Sequence, residues 1–237
     1  MNIVAILITL LSGISFLIGY LITKLVKDDK KLITFSVGFS FTIILGIVLF
    51  DLLPESMELL NDKWLIVLCV TAGILLLKML DFFIPDHSHE SKTSDHMEHI
   101  GLISSLALML HNLIEGTAIY TAAQTNVKLG LIMALGVSFH NIPLGIQISS
   151  MIKNKKEKLA IIILLIVSSI IGALVINLFN ITLETIVLGI LISLTLGMLI
   201  YISLFELLCE IKEHIKDKNM LYGIIIGLIL IIVSMFI

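Results

Sequence analysis

Long apolar stretches separated by short polar ones follow one another along the whole chain. A helix needs about 20 mostly apolar residues to cross the hydrocarbon core of a bilayer. Closed β-barrels also satisfy the backbone in lipid, but these runs are too long for barrel strands and lack two-residue alternation. The pattern therefore predicts an all-α polytopic membrane protein, with one transmembrane domain over 1–237. Its eight predicted spans are 2–23, 32–53, 64–84, 100–123, 127–152, 159–179, 186–208 and 219–237.

Composition agrees with this pattern. The chain is 58% hydrophobic and 14% charged, with a mean hydropathy of +1.13, which excludes an ordinary soluble domain. The first span lacks a basic leader and a small-residue cleavage site, so we interpret it as a true span rather than a signal peptide. Cys69 and Cys209 lie in or beside predicted helices and do not indicate a disulfide framework.

The basic residues, which are all lysines, predict the orientation. The loops after spans one, three, five and seven, with their helix edges, hold 13 of the 15, and only Lys63 and Lys128 lie on the other side. The positive-inside rule then predicts a cell-membrane protein with both termini outside the cytoplasm. A net charge of −3 gives no indication of nucleic-acid binding, which needs a concentrated basic face.

Ionisable and amide side chains interrupt the fourth span in the stretch HNLIEG, residues 111–116. His111 and Glu115 stand four residues apart on one helical face, and Asn112 lies at its edge. A buried charge costs at least about 2.5 kcal/mol even on permissive insertion scales, so it needs a partner or a function. Imidazole and carboxylate are common ligands of Zn²⁺ and its first-row neighbours, and the ion would supply the missing counter-charge.

The fifth span contains a near copy, HNIPLG, at 140–145. It repeats the His-Asn pair as His140 and Asn141, and Pro143 removes the amide hydrogen that would bond the Phe139 carbonyl. Either motif alone is as easily explained by hydrogen bonds between helices. Two such pairs near the middle of consecutive antiparallel helices instead favour a polar pathway or a metal site.

Two carboxylate pairs lie near helix ends. Asp51 and Glu55 in DLLPE are predicted at the outer end of span two, and Glu206 and Glu210 in ELLCE at the inner end of span seven. Carboxylates at both mouths would concentrate cations along a pathway. Solvated helix caps are the alternative interpretation.

A polar loop, 85–99, follows the third span and includes DHSHESKTSDHMEH. Its four histidines and four acidic residues cannot form a core, so we expect a disordered cytoplasmic loop that captures or senses metal.

Together these motifs resemble the ZIP (Zrt/Irt-like) metal transporter family. HNLIEG and HNIPLG are similar to the family's HNxPEG and HNIPEG, and the stretches containing DLLPE and ELLCE are similar to its second and seventh helices. The resemblance implies import of divalent metal toward the cytoplasm by an elevator-like motion of one helix bundle against the other. It also implies a primary site formed by His111, Glu115 and His140, with Asn112 and Asn141 facing a second ion.

The chain departs from the family pattern at three positions. Leu144 stands where the family has Glu, Ile114 replaces a Pro, and Ser169 stands where many bacterial members place a Glu. With Glu115 as the site's remaining carboxylate, two dications would repel each other strongly, so we predict one bound ion. Gln147, seven residues after His140 on the same stripe, would supply a neutral oxygen.

The leading hypothesis is an importer of divalent metal, with Zn²⁺ first and Fe²⁺, Mn²⁺ or Cd²⁺ as further substrates. The metal is cargo, no resident cofactor is expected, and no ATP-binding motif is present. An intramembrane zinc-dependent hydrolase and a metal sensor derived from a transporter are the alternatives. The first needs a catalytic Glu separate from three firm ligands. The expected partners are divalent ions and lipid, and a homodimer is one assembly left open.

Overall fold

The computed structural model describes residues 2–26, 29–83, 93–179 and 184–234, which fold into eight helices. They are α1 (Ile3–Thr23), α2 (Asp29–Gly46, Ile47–Leu52 and Leu53–Leu59 in succession), α3 (Lys63–Phe83), α4 (Thr93–Thr125), α5 (Val127–Met151), α6 (Lys155–Phe179), α7 (Thr185–Tyr201, Ile202–Leu207 and Leu208–His214 in succession) and α8 (Lys218–Ser234). Seven are long and apolar enough to cross a membrane, and α8 is a shorter apolar helix. The predicted all-α polytopic membrane fold is confirmed.

The helices pack as two groups. In the first bundle, α1 packs against α5 and α6, and α4 packs against the same two helices. In the second bundle, α2 packs against α8 and α3 against α7. The interface between the bundles is formed mainly by α2 against α5 and α4 against α7. The metal-site candidates of α4 and α5 therefore belong to one bundle and face the other.

One residue joins α4 to α5. Asn126 ends the turn, and its side-chain oxygen caps α5 by accepting from the backbone N–H of Lys128 at 2.9 Å. So short a connection makes the two helices antiparallel neighbours. As a result, the stretches 111–116 and 140–145 meet near the middle of the first bundle.

Both α2 and α7 contain a π-helical turn, Ile47–Leu52 and Ile202–Leu207. Each helix then continues beyond the predicted span, to Leu59 and His214. The carboxylate pairs therefore lie inside these helices and not at their ends. The physical reason is that the apolar run ends before the helix does, because a helix can extend into the polar boundary of a membrane. Such turns occur often at functional sites, where the extra residue redirects side chains.

The predicted loop 85–99 is wrong in its last part. Helix α4 begins at Thr93, so 93–99 is helical, and 84–92 lies outside the described residues. Met97 is buried in the main apolar core, and Glu98 accepts from the backbone N–H of Lys153 at 3.1 Å. Because Met97 and Glu98 make these contacts, the end of the segment is part of α4 despite its polar composition.

Candidate metal site

His111, Glu115 and His140 converge where α4 and α5 face each other. Nε2 of His140 lies 3.0 Å from Oε1 of Glu115, and Nε2 of His111 lies 3.1 Å from the same oxygen. One ligand atom from each residue lies within 4.8 Å of the others. The structure therefore brings together the three side chains that the sequence nominated as the primary site, and we call them the triad.

The spacing of the triad suits a small divalent cation. Ligand bonds of 2.0–2.1 Å in a tetrahedral site place neighbouring ligand atoms about 3.3 Å apart, close to the separations found here. The His111 side chain is 2% exposed, whereas those of Glu115 and His140 are 16% and 15% exposed. Within the described part of the chain, Nε2 of His111 makes no hydrogen bond, although Oε1 is near. A nitrogen so buried needs a partner, and a cation in the triad would provide one.

The glycine that ends each motif sets the position of its helix. A Cβ on Gly116 would lie 2.0 Å from the carbonyl oxygen of Ser169 on α6. A Cβ on Gly145 would lie 2.5 Å from the carbonyl oxygen of Phe16 on α1. Only glycine permits these approaches, so α4 directly after Glu115 and α5 about one turn after His140 are held tightly against their neighbours.

A cavity of about 490 Å³ leads to the triad from the half of the protein that contains both described chain ends. Asp51 and Glu55 line it from the π turn of α2 and the α-helical turn that follows, and Thr195 lines it from α7. With Glu115, three carboxylates line the cavity among the described residues, and they attract cations. Among the described His, Cys, Asp and Glu residues, the tight cluster of ligand atoms nevertheless contains only the triad.

The two asparagines hold the helices of the site in place. The side-chain amide of Asn112 donates to the Leu165 carbonyl on α6 at 3.2 Å, and that of Asn141 donates to the Ser12 carbonyl on α1 at 3.2 Å. Neither residue lines the cavity. Both amides donate to helices of the first bundle and not toward the second, so the structure does not bring them to the triad.

Three further positions singled out in the sequence lie apart from the triad. Leu144 and Gln147 are fully buried, and neither lines the cavity. Ser169 packs at the contact of α6 with α1 and α4, where its hydroxyl donates to the Ile166 carbonyl at 2.9 Å. Its position is therefore one of helix packing, which explains why a small residue stands there.

The carboxylate pair of α7 lies at the opposite end of the protein from this cavity. Glu210 is buried and lines a second cavity of about 270 Å³, together with His214 and Lys30. Ligand atoms of Glu210, Glu213 and His214 lie within 4.8 Å of one another. Glu206 is half-buried one turn before Glu210 and lines neither cavity described.

Sequence reasoning missed the π turns and the buried contact between α3 and α4. His99 Nε2 donates to Asp81 Oδ1 at 2.6 Å, and the Tyr201 hydroxyl donates to Oδ2 at 2.8 Å. These bonds join α4 of the first bundle to α3 and α7 of the second. The repeated pattern of LFDLLPE at 49–55 and LFELLCE at 204–210 is the signal that could have indicated two equivalent distorted turns.

Comparison with known proteins identifies the family of the chain. The family described as ZIP zinc transporter matches residues 86–235. The zinc transporter ZupT of Streptococcus mutans is 29% identical, over 98% of this chain and 96% of the relative. The proteins of the same name from Clostridium perfringens and Chlorobium luteolum are 27% and 28% identical, over 98% of this chain and 94% and 96% of the relatives. The predicted resemblance is confirmed, and the chain belongs to the ZIP zinc transporter family.

Proposed function

We propose that this protein imports divalent metal ions, with Zn²⁺ as the main substrate, and that the ion binds to the triad on its way across the membrane. The observation that supports this most strongly is the meeting of two imidazoles and one carboxylate within 4.8 Å at the base of an acidic cavity. Imidazole and carboxylate ligands bind Zn²⁺ well and also accept Fe²⁺, Mn²⁺ and Cd²⁺. The chain's relatives carry the names of transporters, which disfavours a hydrolase.

The triad binds one ion at a time. Glu115 is its only carboxylate, and two dications beside a single negative charge would repel each other in a low-dielectric interior. Asp51 and Glu55 line the same cavity but stand outside the tight cluster. Their role is to raise the local concentration of cations before binding.

The direction of transport follows from the lysines. Both termini lie outside the cytoplasm by the positive-inside rule, and the cavity opens toward that half of the protein. In this arrangement the acidic cavity faces the outside of the cell membrane. An ion would enter past Asp51 and Glu55, bind to the triad, and leave on the side of Glu206 and Glu210.

Reconstitution in vesicles tests the proposal. The purified protein, in vesicles loaded with a zinc-sensitive dye, should accumulate Zn²⁺ down a concentration gradient. A variant with His111→Ala and Glu115→Ala removes two of the three ligands, so uptake should fall to the rate of empty vesicles. Uptake at the wild-type rate in this double variant would exclude the triad as the transport site.

The variant Leu144→Glu tests the number of ions. It adds a carboxylate one helical turn after His140, so zinc bound per protein should rise from one to two. Because the variant buries an unpaired charge, it should also unfold at a lower temperature without zinc and regain stability when zinc is added. Two zinc ions per wild-type protein at the triad would contradict the single-ion proposal.

A further inference from the structure

Helical register places two buried polar side chains below the triad. Ser104 lies seven residues before His111 on α4, and Gln147 lies seven residues after His140 on α5. Seven residues are two turns, so each lies on the same stripe as its histidine and about 10 Å further from the cavity. Because α4 and α5 are antiparallel, the two residues reach a similar depth.

A contact near the far end of α5 supports this register. A Cβ on Gly101 would lie 2.9 Å from Cβ of Met151, so these positions are opposite each other. Ser104 is one turn from Gly101, and Gln147 is one turn from Met151, both in the direction of the triad. The two side chains therefore occupy one level between α4 and α5.

An apolar layer separates that level from the triad. Leu108 and Leu144 lie between the two levels, and both are fully buried in the main core. Leu144 occupies the position of the motif's absent Glu. We call these two side chains the leucine layer; neither lines the cavity that leads to the triad.

Buried polar side chains usually have hydrogen-bond partners, and Ser104 and Gln147 depart from this rule. Among the described residues, the Ser104 hydroxyl and both polar atoms of the Gln147 side chain have no hydrogen-bond partner, and both residues are 0% exposed. The neighbouring Ser105 instead donates to the Leu102 carbonyl at 2.7 Å, as is usual for a helical serine. Buried polar atoms without partners destabilise a fold, and a cation at this level of the α4–α5 interface would supply the missing partner.

Helix α2 of the second bundle packs against α5 near the level of Gln147. The Ser36 hydroxyl lies 2.6 Å from the Ser150 hydroxyl, which fixes α2 against α5 one turn beyond Gln147. Ser40, one turn along α2 from Ser36, is also fully buried. Its hydroxyl donates to the Ser36 carbonyl, and a hydroxyl oxygen that donates can also accept.

We propose that Ser104 and Gln147 form a second, uncharged binding station for the divalent cation, which the ion occupies after it leaves the triad and passes the leucine layer. This proposal rests on the proposed function of the triad. An amide carbonyl and hydroxyl oxygens replace part of the hydration shell of the ion without adding negative charge. Binding there is consequently weak, and weak binding on the exit side allows release, which a second carboxylate would oppose.

The experiment compares zinc binding, zinc uptake and thermal unfolding in Gln147→Leu and in Ser104→Ala. Zinc should bind to each detergent-purified variant with a dissociation constant within about twofold of wild type, because the triad is two turns away. The maximal uptake rate into vesicles should fall about tenfold in Gln147→Leu and by less in Ser104→Ala. The unfolding midpoint of Gln147→Leu should rise by about 2–4 °C, because an unpartnered buried amide is replaced by an apolar group.

Ser149→Ala is the matched control. Ser149 is also fully buried on α5 with an unpartnered hydroxyl among the described residues, but it lies on the face toward α1, where Gly19 contacts Ile142. Its uptake should remain at the wild-type rate. Wild-type uptake in Gln147→Leu would overturn the proposal, as would an equal loss in Ser149→Ala. A lower unfolding midpoint in Gln147→Leu would also overturn it, by assigning that residue a structural role.

These outcomes are distinguishable from a failure of the proposed function. If the His111→Ala, Glu115→Ala variant still transports zinc, the proposal that the triad is the transport site is wrong. If that variant is inactive and Gln147→Leu transports normally, only the proposed second binding station is wrong.

Discussion

The substitution Gly116→Ala adds a single methyl group to the last position of HNLIEG. The new Cβ would lie 2.0 Å from the carbonyl oxygen and 2.6 Å from the carbonyl carbon of Ser169 on α6. Both are backbone atoms, which cannot rotate away as a flexible side chain would. The turn of α4 that carries Glu115 must therefore move away from α6.

The size of this movement follows from the distances. Ordinary contact with a Cβ begins at 3.4 Å, so relief of the clash needs a separation of more than about 1 Å. Overpacking costs about 1–3 kcal/mol, and the better helix propensity of Ala returns about 1 kcal/mol. The net loss of stability is about 0–2 kcal/mol, but a shift of about 1 Å in a ligand lowers activity on the order of 100-fold.

Zinc uptake into vesicles and thermal unfolding of the same preparation measure the two effects separately. Gly116→Ala should still fold, with its free energy of unfolding lowered by no more than about 2 kcal/mol, while its uptake falls on the order of 100-fold. Gly136→Ala is the matched control, since Gly136 lines the same cavity and a Cβ there meets nothing within 4 Å. Its uptake should be unchanged. Normal uptake in Gly116→Ala would refute the claim that close packing of α4 on α6 positions the triad.

Three further predictions follow from individual contacts. Replacing Asp51 and Glu55 together by Asn and Gln should raise the KM for zinc on the order of 10-fold at low salt and leave the maximal uptake rate unchanged. The rise in KM should be smaller at high salt, because salt screens the charges. An equal rise in KM at all salt concentrations would contradict electrostatic concentration of the ion. His99→Ala removes the 2.6 Å bond to Asp81 and should lower the free energy of unfolding by about 1–3 kcal/mol in a denaturation experiment, and an unchanged value would show that the bond contributes nothing. Tyr120→Phe removes a buried hydroxyl that donates to Asn177 at 2.8 Å, so unfolding should become easier by about 1 kcal/mol while zinc uptake stays at the wild-type rate.

The membrane fold was predictable because its signal lies in the order of residues along the chain. Apolar runs of span length are a local property, and the eight predicted runs correspond to the eight described helices. The meeting of His111, Glu115 and His140 was also predictable. It needs only helical periodicity and a short connection, here the single residue Asn126, between antiparallel helices.

The remaining features depend on contacts between distant segments. The helical start of α4 at Thr93 depends on packing of Met97 and on Glu98 accepting from Lys153, which composition does not indicate. The expectation that Gln147 supplies an oxygen to the site is not tested by the structure. Gln147 is buried two turns from His140, so the proposed second binding station gives its oxygen to the ion at a different level, because periodicity specifies a stripe but not which level the ion occupies.

The π turns in α2 and α7 were not predicted for a related reason. An inserted residue leaves the apolar pattern almost unchanged but rotates the following side chains about the helix axis. Asp51 and Glu55 consequently line the cavity from within α2. From the position of the helix ends alone, the sequence predicted that both residues are solvated helix caps or lie at the outer mouth of a cation pathway.

The central claim is that one divalent ion binds between α4 and α5, held by His111, Glu115 and His140. Anomalous scattering from crystals of the wild-type protein soaked in Zn²⁺ tests it most directly, because the signal locates and counts zinc ions. We predict one peak between these two helices, about 2.0–2.1 Å from Nε2 of each histidine. Two peaks there, or no peak among these three side chains, would contradict the account.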